Sequence, residues 1–211
     1  MKIVAISAGL GQPSSTRLLA DRLIASAEKS AGEPIEATVI ELRDIAHDLV
    51  NQLLTGVAPA SVTNAIDEVL SADGLIVVSP IFNASFSGLF KMFFDVLDEG
   101  SLRGVPVLLA ATGGTSRHSL AVDQAMLPLF FYLKAHVVPT SVFAATDDWG
   151  GSGAALDGRV TKAASELVAL IAPKGDAPKS AQAAARRPED DFALPNDFEA
   201  MMGKVRGGGR L

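Results

Sequence analysis

The stretch GLIVVSPIFNASFSGLFKMFFDVL, residues 74–97, is where an architecture can first be read from this chain. Leu75 to Val78 are uniformly apolar, with no polar alternation, which predicts a strand buried on both faces. Residues 87–98 repeat apolar side chains at helical spacing. The junction between them carries little bulk: Pro80, Asn83, Ala84, Ser85, Ser87 and Gly88. Pro80, which lacks an N–H, is expected to end the strand ladder, and the helix is expected to start near Ser87.

The same alternation extends in both directions. Short β-branched runs occupy 2–7, 36–42, 74–80, 105–112 and 136–144, and helical patterns fill 15–31, 61–71, 87–98, 117–134 and about 154–172. Strands alternating with helices predict βαβ units and a parallel sheet. Right-handed crossovers then give a doubly wound α/β sandwich of three layers. Five strands suit the flavodoxin-like order 2-1-3-4-5. Beyond residue 172 the character changes to Pro, Ala, Gly and charge without sustained period, so 173–211 is expected to form a flexible tail and 1–172 a single domain.

Composition removes several classes of function. Of 211 residues, 48% are hydrophobic, enough for one sizeable core. The net charge of −6 offers no basic excess for nucleic acid or an anionic membrane. The absence of cysteine excludes thiolate chemistry and disulfides, and three scattered histidines argue against a metal site. No run reaches the length needed to span a bilayer, and the start MKIVAISAG reads as a first strand rather than a signal peptide. A cytoplasmic location is expected.

In the order 2-1-3-4-5, ligands sit beyond the carboxyl ends of the strands, against the loops after strands 1, 3 and 4. The first loop and its helix start, SAGLGQPSSTR (7–17), combine Gly9 and Gly11 with Ser14, Ser15, Thr16 and Arg17. Backbone amides at a helix start favour an anion, and hydroxyls and a guanidinium add donors, so a phosphate is the expected guest. N-capping alone accounts for one such hydroxyl, not three in succession. The second loop, at Pro80, Ile81, Phe82, Asn83, Ala84 and Ser85, is stripped of bulk so that a flat group can rest on backbone. The third, ATGGTSRH (111–118), offers Gly113, Gly114 and Thr115, with Arg117 and His118 as candidates on the open side. The sequence GLGQPS breaks the G-x-G-x-x-G fingerprint at its third glycine, against a fixed dinucleotide site of the Rossmann kind.

Taken together and in this order, SPIFNASFSGLFKMFFD and ATGGTSRHSLAVDQAMLPLF resemble the flavin-binding loops of the NAD(P)H-dependent FMN reductase family, including the reductases of two-component monooxygenase systems. The resemblance covers residues 1 to about 172. It implies a flavodoxin-like fold and FMN lying across the three loops. Ser7, Ser14, Thr16 and Arg17 would hold the phosphate, Pro80 to Ser85 would line the isoalloxazine, and Gly113 to Thr115 would contact its polar edge. It implies hydride transfer from NADPH or NADH to N5 of FMN, with no protein acid or base required for that step. It also implies a homodimer or homotetramer, and a flavin-dependent monooxygenase as an acceptor of the reduced flavin. Relatives often carry Tyr where this chain has Phe82 and Phe86. The alternatives are a flavodoxin-type electron carrier and a reductase that keeps its FMN and passes electrons to a quinone, azo dye or metal oxyanion.

Overall fold

The apolar runs become strands because β-branched side chains suit a pleated surface that is covered on both faces. In the computed structural model, which describes residues 1–150 and 154–171, they are β1 (Lys2–Ser7), β2 (Glu36–Glu41) and β3 (Gly74–Phe82). A two-residue strand β4 (Ser85–Phe86) and then β5 (Pro106–Gly113), β6 (His136–Val137) and β7 (Val142–Ala145) complete the set. The tail expected over 173–211 lies outside the described residues.

The sheet has seven strands in the order β2-β1-β3-β5-β6, with β4 paired to β3 and β7 to β5. All pairs are parallel except β3 with β4. The five-position order read from the sequence is therefore present, but five strands is a miscount. The fifth run is broken between Val137 and Val142, where Pro139 cannot donate to a ladder; both halves lie on β5. The extra strand β4 is one arm of a hairpin inside the second loop.

Six α-helices pack on the sheet: α1 (Ser15–Ala31), α2 (Ala46–Thr55), α3 (Ala60–Leu70), α4 (Gly88–Asp95), α5 (Leu127–Tyr132) and α6 (Ala154–Ile171). Ile3, Ala5, Ile76, Val78, Leu108 and Ala110 share one core with Leu19, Leu23 and Leu167 of α1 and α6. Val4, Ile6, Leu75, Val77, Leu109 and Ala111 share the other with α2 to α5. Strand residues alternate strictly between the two cores, as a period of two requires. Beneath α4 the rings of Phe90, Phe94 and Phe130 pack edge to face or tilted, with centroids 4.7–6.2 Å apart.

Three readings are corrected here. Pro80 does not end the ladder, since β3 continues to Phe82 and Pro80 stands opposite Thr112 of β5. The helix expected over 117–134 is a 3₁₀ turn (Ser116–His118), a π turn (Val122–Met126) and the short α5. Pro128, which cannot donate to the carbonyl four residues back, sits in the first turn of α5, where no such bond is needed. The helix α2 was not expected at all. Only Leu49 of α2 is fully buried, while Val50, Leu53 and Leu54 stay exposed, so much of its apolar stripe is left uncovered.

Candidate functional site

β1, β3 and β5 are adjacent and parallel, with Ser7 opposite Val78 and Ser79 opposite Ala111. Their carboxyl ends therefore leave the sheet at one edge, and the three loops meet there. A buried side-chain bond joins the first helix start directly to the end of β5: Thr16 Oγ1 and Thr112 Oγ1 are 2.9 Å apart, across 96 residues of sequence.

Strand parity decides which polar side chains reach this edge. Ile3 and Ala5 face α1, so Ser7 faces the same side, beneath the start of α1. Thr112 follows Leu108 and Ala110 onto that side. Ser79 follows Leu75 and Val77 to the opposite face. There it accepts a hydrogen bond from Ser87 N (3.0 Å) and donates to Pro80 O (2.9 Å), which fixes the second loop to its strand.

In the first loop Ser14 is the N-cap of α1, its Oγ accepting from Arg17 N at 3.2 Å. Ser15 is exposed at the first helical position. Ser7 is 1% exposed and its Oγ has no hydrogen-bond partner among the described residues. An unpaired buried hydroxyl costs about 1–3 kcal/mol, which makes it a poised ligand group. Gly9 is required by space: a Cβ there would lie 2.2 Å from Ser14 Oγ and 3.0 Å from Thr16 Cβ. The residues present thus suit an anion seated on the first turn of α1. The helix dipole contributes about 0.3–1 kcal/mol and each charge-assisted hydrogen bond about 1.5–3 kcal/mol.

Arg17 is engaged elsewhere. Its Nε bonds Asp21 Oδ1 at 2.8 Å and its Nη1 bonds Glu41 Oε1 at 2.7 Å. Asp21 first, then Glu41, hold the guanidinium pKa above its ordinary value against the opposing effect of burial. Thr16 is likewise committed, to Thr112. The sequence reading missed Arg43, which follows β2 in a 3₁₀ turn (Leu42–Ile45). Its Nη1 donates to Gly11 O at 2.8 Å and its Nη2 pairs with Glu41 Oε2 at 2.9 Å. No sequence signal brings residue 43 to residue 11; the pairing of β2 with β1 does.

The second loop is a hairpin. Phe82 pairs with Ser85 and Ile81 with Phe86, leaving Asn83 and Ala84 as the two turn residues at φ 49° and 66°. Positive φ at both positions is the I′ geometry that matches strand twist. Phe82 is exposed at the rim, whereas Phe86 packs on Phe90 at 5.5 Å and belongs with the core. Ser87 caps α4 by accepting from Phe90 N at 3.2 Å.

In the third loop Thr115 Oγ1 accepts from Arg117 N at 3.1 Å. A Cβ on Gly113 would lie 2.8 Å from the Phe143 ring, so that glycine also answers to space. Gly114 and Arg117 are exposed and His118 is half-buried beside Gly113. Beyond the loop lies an open cleft of about 330 Å³ whose lining includes Ser116, Asp123, Phe143 and Arg159. Lys91 of α4 is tied to Asp95 one helical turn on.

Residues 1–150 match the family model described as NADPH-dependent FMN reductase. The chain is similar to the FMN reductase (NADPH) of Pseudomonas aeruginosa, 45% identical over 148 residues, or 70% of this chain and 78% of that protein. It is 41% identical over 149 residues to the NADH-dependent FMN reductase SfnF of Pseudomonas fluorescens, covering 71% and 79%. Among solved structures, an oxidoreductase from Corynebacterium diphtheriae superposes with a TM-score of 0.78 at 44% identity, covering 81% of this chain and 96% of that one.

Proposed function

Because the chain belongs to the NADPH-dependent FMN reductase family, we propose that the loops at the carboxyl ends of β1, β3 and β5 hold FMN, with residues 1–172 as the reductase unit. The protein is an NAD(P)H-dependent FMN reductase of flavodoxin-like fold, with FMN and NADPH or NADH as its nucleotides. When bound, FMN supplies the hydride acceptor, at N5. The observation that carries the site is the convergence of the three loops at one edge, the first and third joined by the Thr16–Thr112 bond.

Each loop has its own work. The Ser7 hydroxyl, the Ser14 and Ser15 turn and the amide of Thr16 bind the phosphate. Thr16 contributes through its amide, while its hydroxyl is shared with Thr112. Arg17 adds charge to the rim, its guanidinium oriented by Asp21 and Glu41, which take two of its five donors. Pro80 to Ser85 form the platform for the ring, with the hairpin tip bare of bulk and Phe82 at its margin. Gly113, Gly114 and Thr115 present backbone to the polar edge of the ring, where amides stabilise the charge that develops on reduction. Arg117 and His118 flank the open side on which the nicotinamide nucleotide docks. No side chain needs to carry a proton in the hydride step; the protein orients two rings against each other and excludes water.

A flavin-dependent monooxygenase is the proposed recipient of the reduced flavin, and the cytoplasm, which holds reduced nicotinamide nucleotides, the proposed location. No helix among the described residues is long and apolar enough to cross a membrane. A homodimer or homotetramer is supported by the uncovered stripe of Val50, Leu53, Leu54 and Val57 along and just beyond α2. The deciding experiment follows NADPH and NADH oxidation by the purified chain with and without FMN. FMN-dependent oxidation of either nucleotide is expected; no oxidation under any combination overturns the reading. Light scattering tests the assembly, and a lone protomer would remove that part.

A further inference from the structure

We propose that Arg43 is a positioning residue for the flavin phosphate, shaping the first loop from outside it; the inference rests on the FMN reading above. Leu42, fully buried, anchors the 3₁₀ turn after β2, and the next side chain, Arg43, lies against the loop of β1. Two contacts fix the guanidinium, Glu41 Oε2 at 2.9 Å and Gly11 O at 2.8 Å, and Asp44 Oδ1 stands 3.4 Å from Nε without bonding it. The Gln12 side-chain amide lies against the same guanidinium, and its oxygen accepts from it when the amide is flipped. The side chains of Arg43 and Glu41 are only 17% and 16% exposed, so this is a packed fork rather than a solvated surface pair.

The consequence for the phosphate follows from peptide geometry. The Gly11–Gln12 peptide is planar, so holding Gly11 O toward Arg43 points the Gln12 N–H the opposite way, away from the guanidinium. That amide donates to no acceptor among the described residues. Glu41 also carries Arg17 on its second oxygen, so one carboxylate ties the loop to the first turn of α1. The charge of Arg43 is matched by Glu41 and Asp44. Its role is therefore geometric, holding backbone donors in place, and not that of a second phosphate-binding cation.

The test compares FMN with riboflavin, which lacks the phosphate, by fluorescence titration of the full chain. Arg43→Met keeps the aliphatic stem and removes the fork. The expected result is at least a tenfold loss of FMN affinity with riboflavin affinity unchanged within twofold. General loosening of the fold would weaken both flavins alike. Should Arg43→Met fail to fold, Arg43→Lys, which keeps charge but cannot span Glu41 and Gly11 together, is expected to lower the same ratio about threefold. An unchanged FMN-to-riboflavin ratio in whichever variant folds overturns the proposal. A wild-type chain that binds neither flavin overturns the FMN reading instead.

Discussion

Replacing Ser7 with alanine separates the stability of the free protein from its affinity for flavin, because the two are expected to move in opposite directions. In the free protein the hydroxyl is 1% exposed and unpaired at the end of β1. Removing it abolishes no hydrogen bond and leaves the Cβ, so no cavity larger than one oxygen opens. A buried polar group without a partner is a net cost, and Ser7→Ala is expected to raise unfolding free energy by up to about 1 kcal/mol. With FMN the sign reverses. One hydrogen bond to a charged phosphate contributes about 1.5–3 kcal/mol, which at 1.4 kcal/mol per decade is roughly a 10- to 150-fold weaker Kd. Urea unfolding of the flavin-free protein and quenching of FMN fluorescence measure the two quantities on the same preparation. A variant less stable than wild type with FMN affinity unchanged would refute the reasoning. It would mean that the hydroxyl is already bonded in the free protein and does not face the phosphate.

Four further perturbations probe the remaining loops. Gly9→Ala places a methyl 2.2 Å from Ser14 Oγ, so either the cap is lost or the loop shifts; FMN affinity is expected to fall at least tenfold, read in the same titration, with about 1–3 kcal/mol lost from stability. Gly113→Ala meets the Phe143 ring at 2.8 Å and is expected to raise the KM for FMN, with Phe143→Leu in the same chain restoring most of the loss; no restoration would separate the two residues. Ala84→Gly relieves a positive φ of 66° at the hairpin tip and is expected to stabilise by about 0.5–1 kcal/mol in urea, the αL cost of about 1–2 kcal/mol being partly offset by added freedom in the unfolded chain. Arg17→Ala is expected to weaken FMN by less than tenfold, since Asp21 and Glu41 hold two of its donors and direct the guanidinium toward themselves; a hundredfold loss would show that it turns to the phosphate.

The parts of the fold legible in the sequence are those set by local pattern. The runs at 2–7, 36–42, 74–80 and 105–112 became strands, and the helix over 15–31 matched residue for residue, with Ser14 as its cap and Gly32 as its left-handed stop at φ 68°. The hairpin at 82–85 escaped notice because Asn-Ala is a poor advertisement for a I′ turn, which ordinarily calls for glycine second. The break of the helix expected at 117–134 escaped because periodicity survives a π turn. The α2 helix went unread because only Leu49 of its apolar residues is fully buried in the core, while Val50, Leu53 and Leu54 stay exposed.

Of the residues that mattered but were missed, Arg43, Glu41 and Thr112 act across the sheet, and Ser79 fixes the second loop to its own strand. Amino-acid order by itself determined which segments are strands and helices, which ends carry glycine and hydroxyls, and hence that an anion and a flat ring are the natural guests. Those are short-range properties of backbone geometry and side-chain spacing. Only the tertiary structure decided which hydroxyls are spent and which remain free. Parity and strand pairing set Thr16 against Thr112, turned Arg17 to Glu41, brought Arg43 to Gly11, and left Ser7 buried without a partner among the described residues. Such assignments depend on contacts between residues tens of positions apart, which no local pattern encodes.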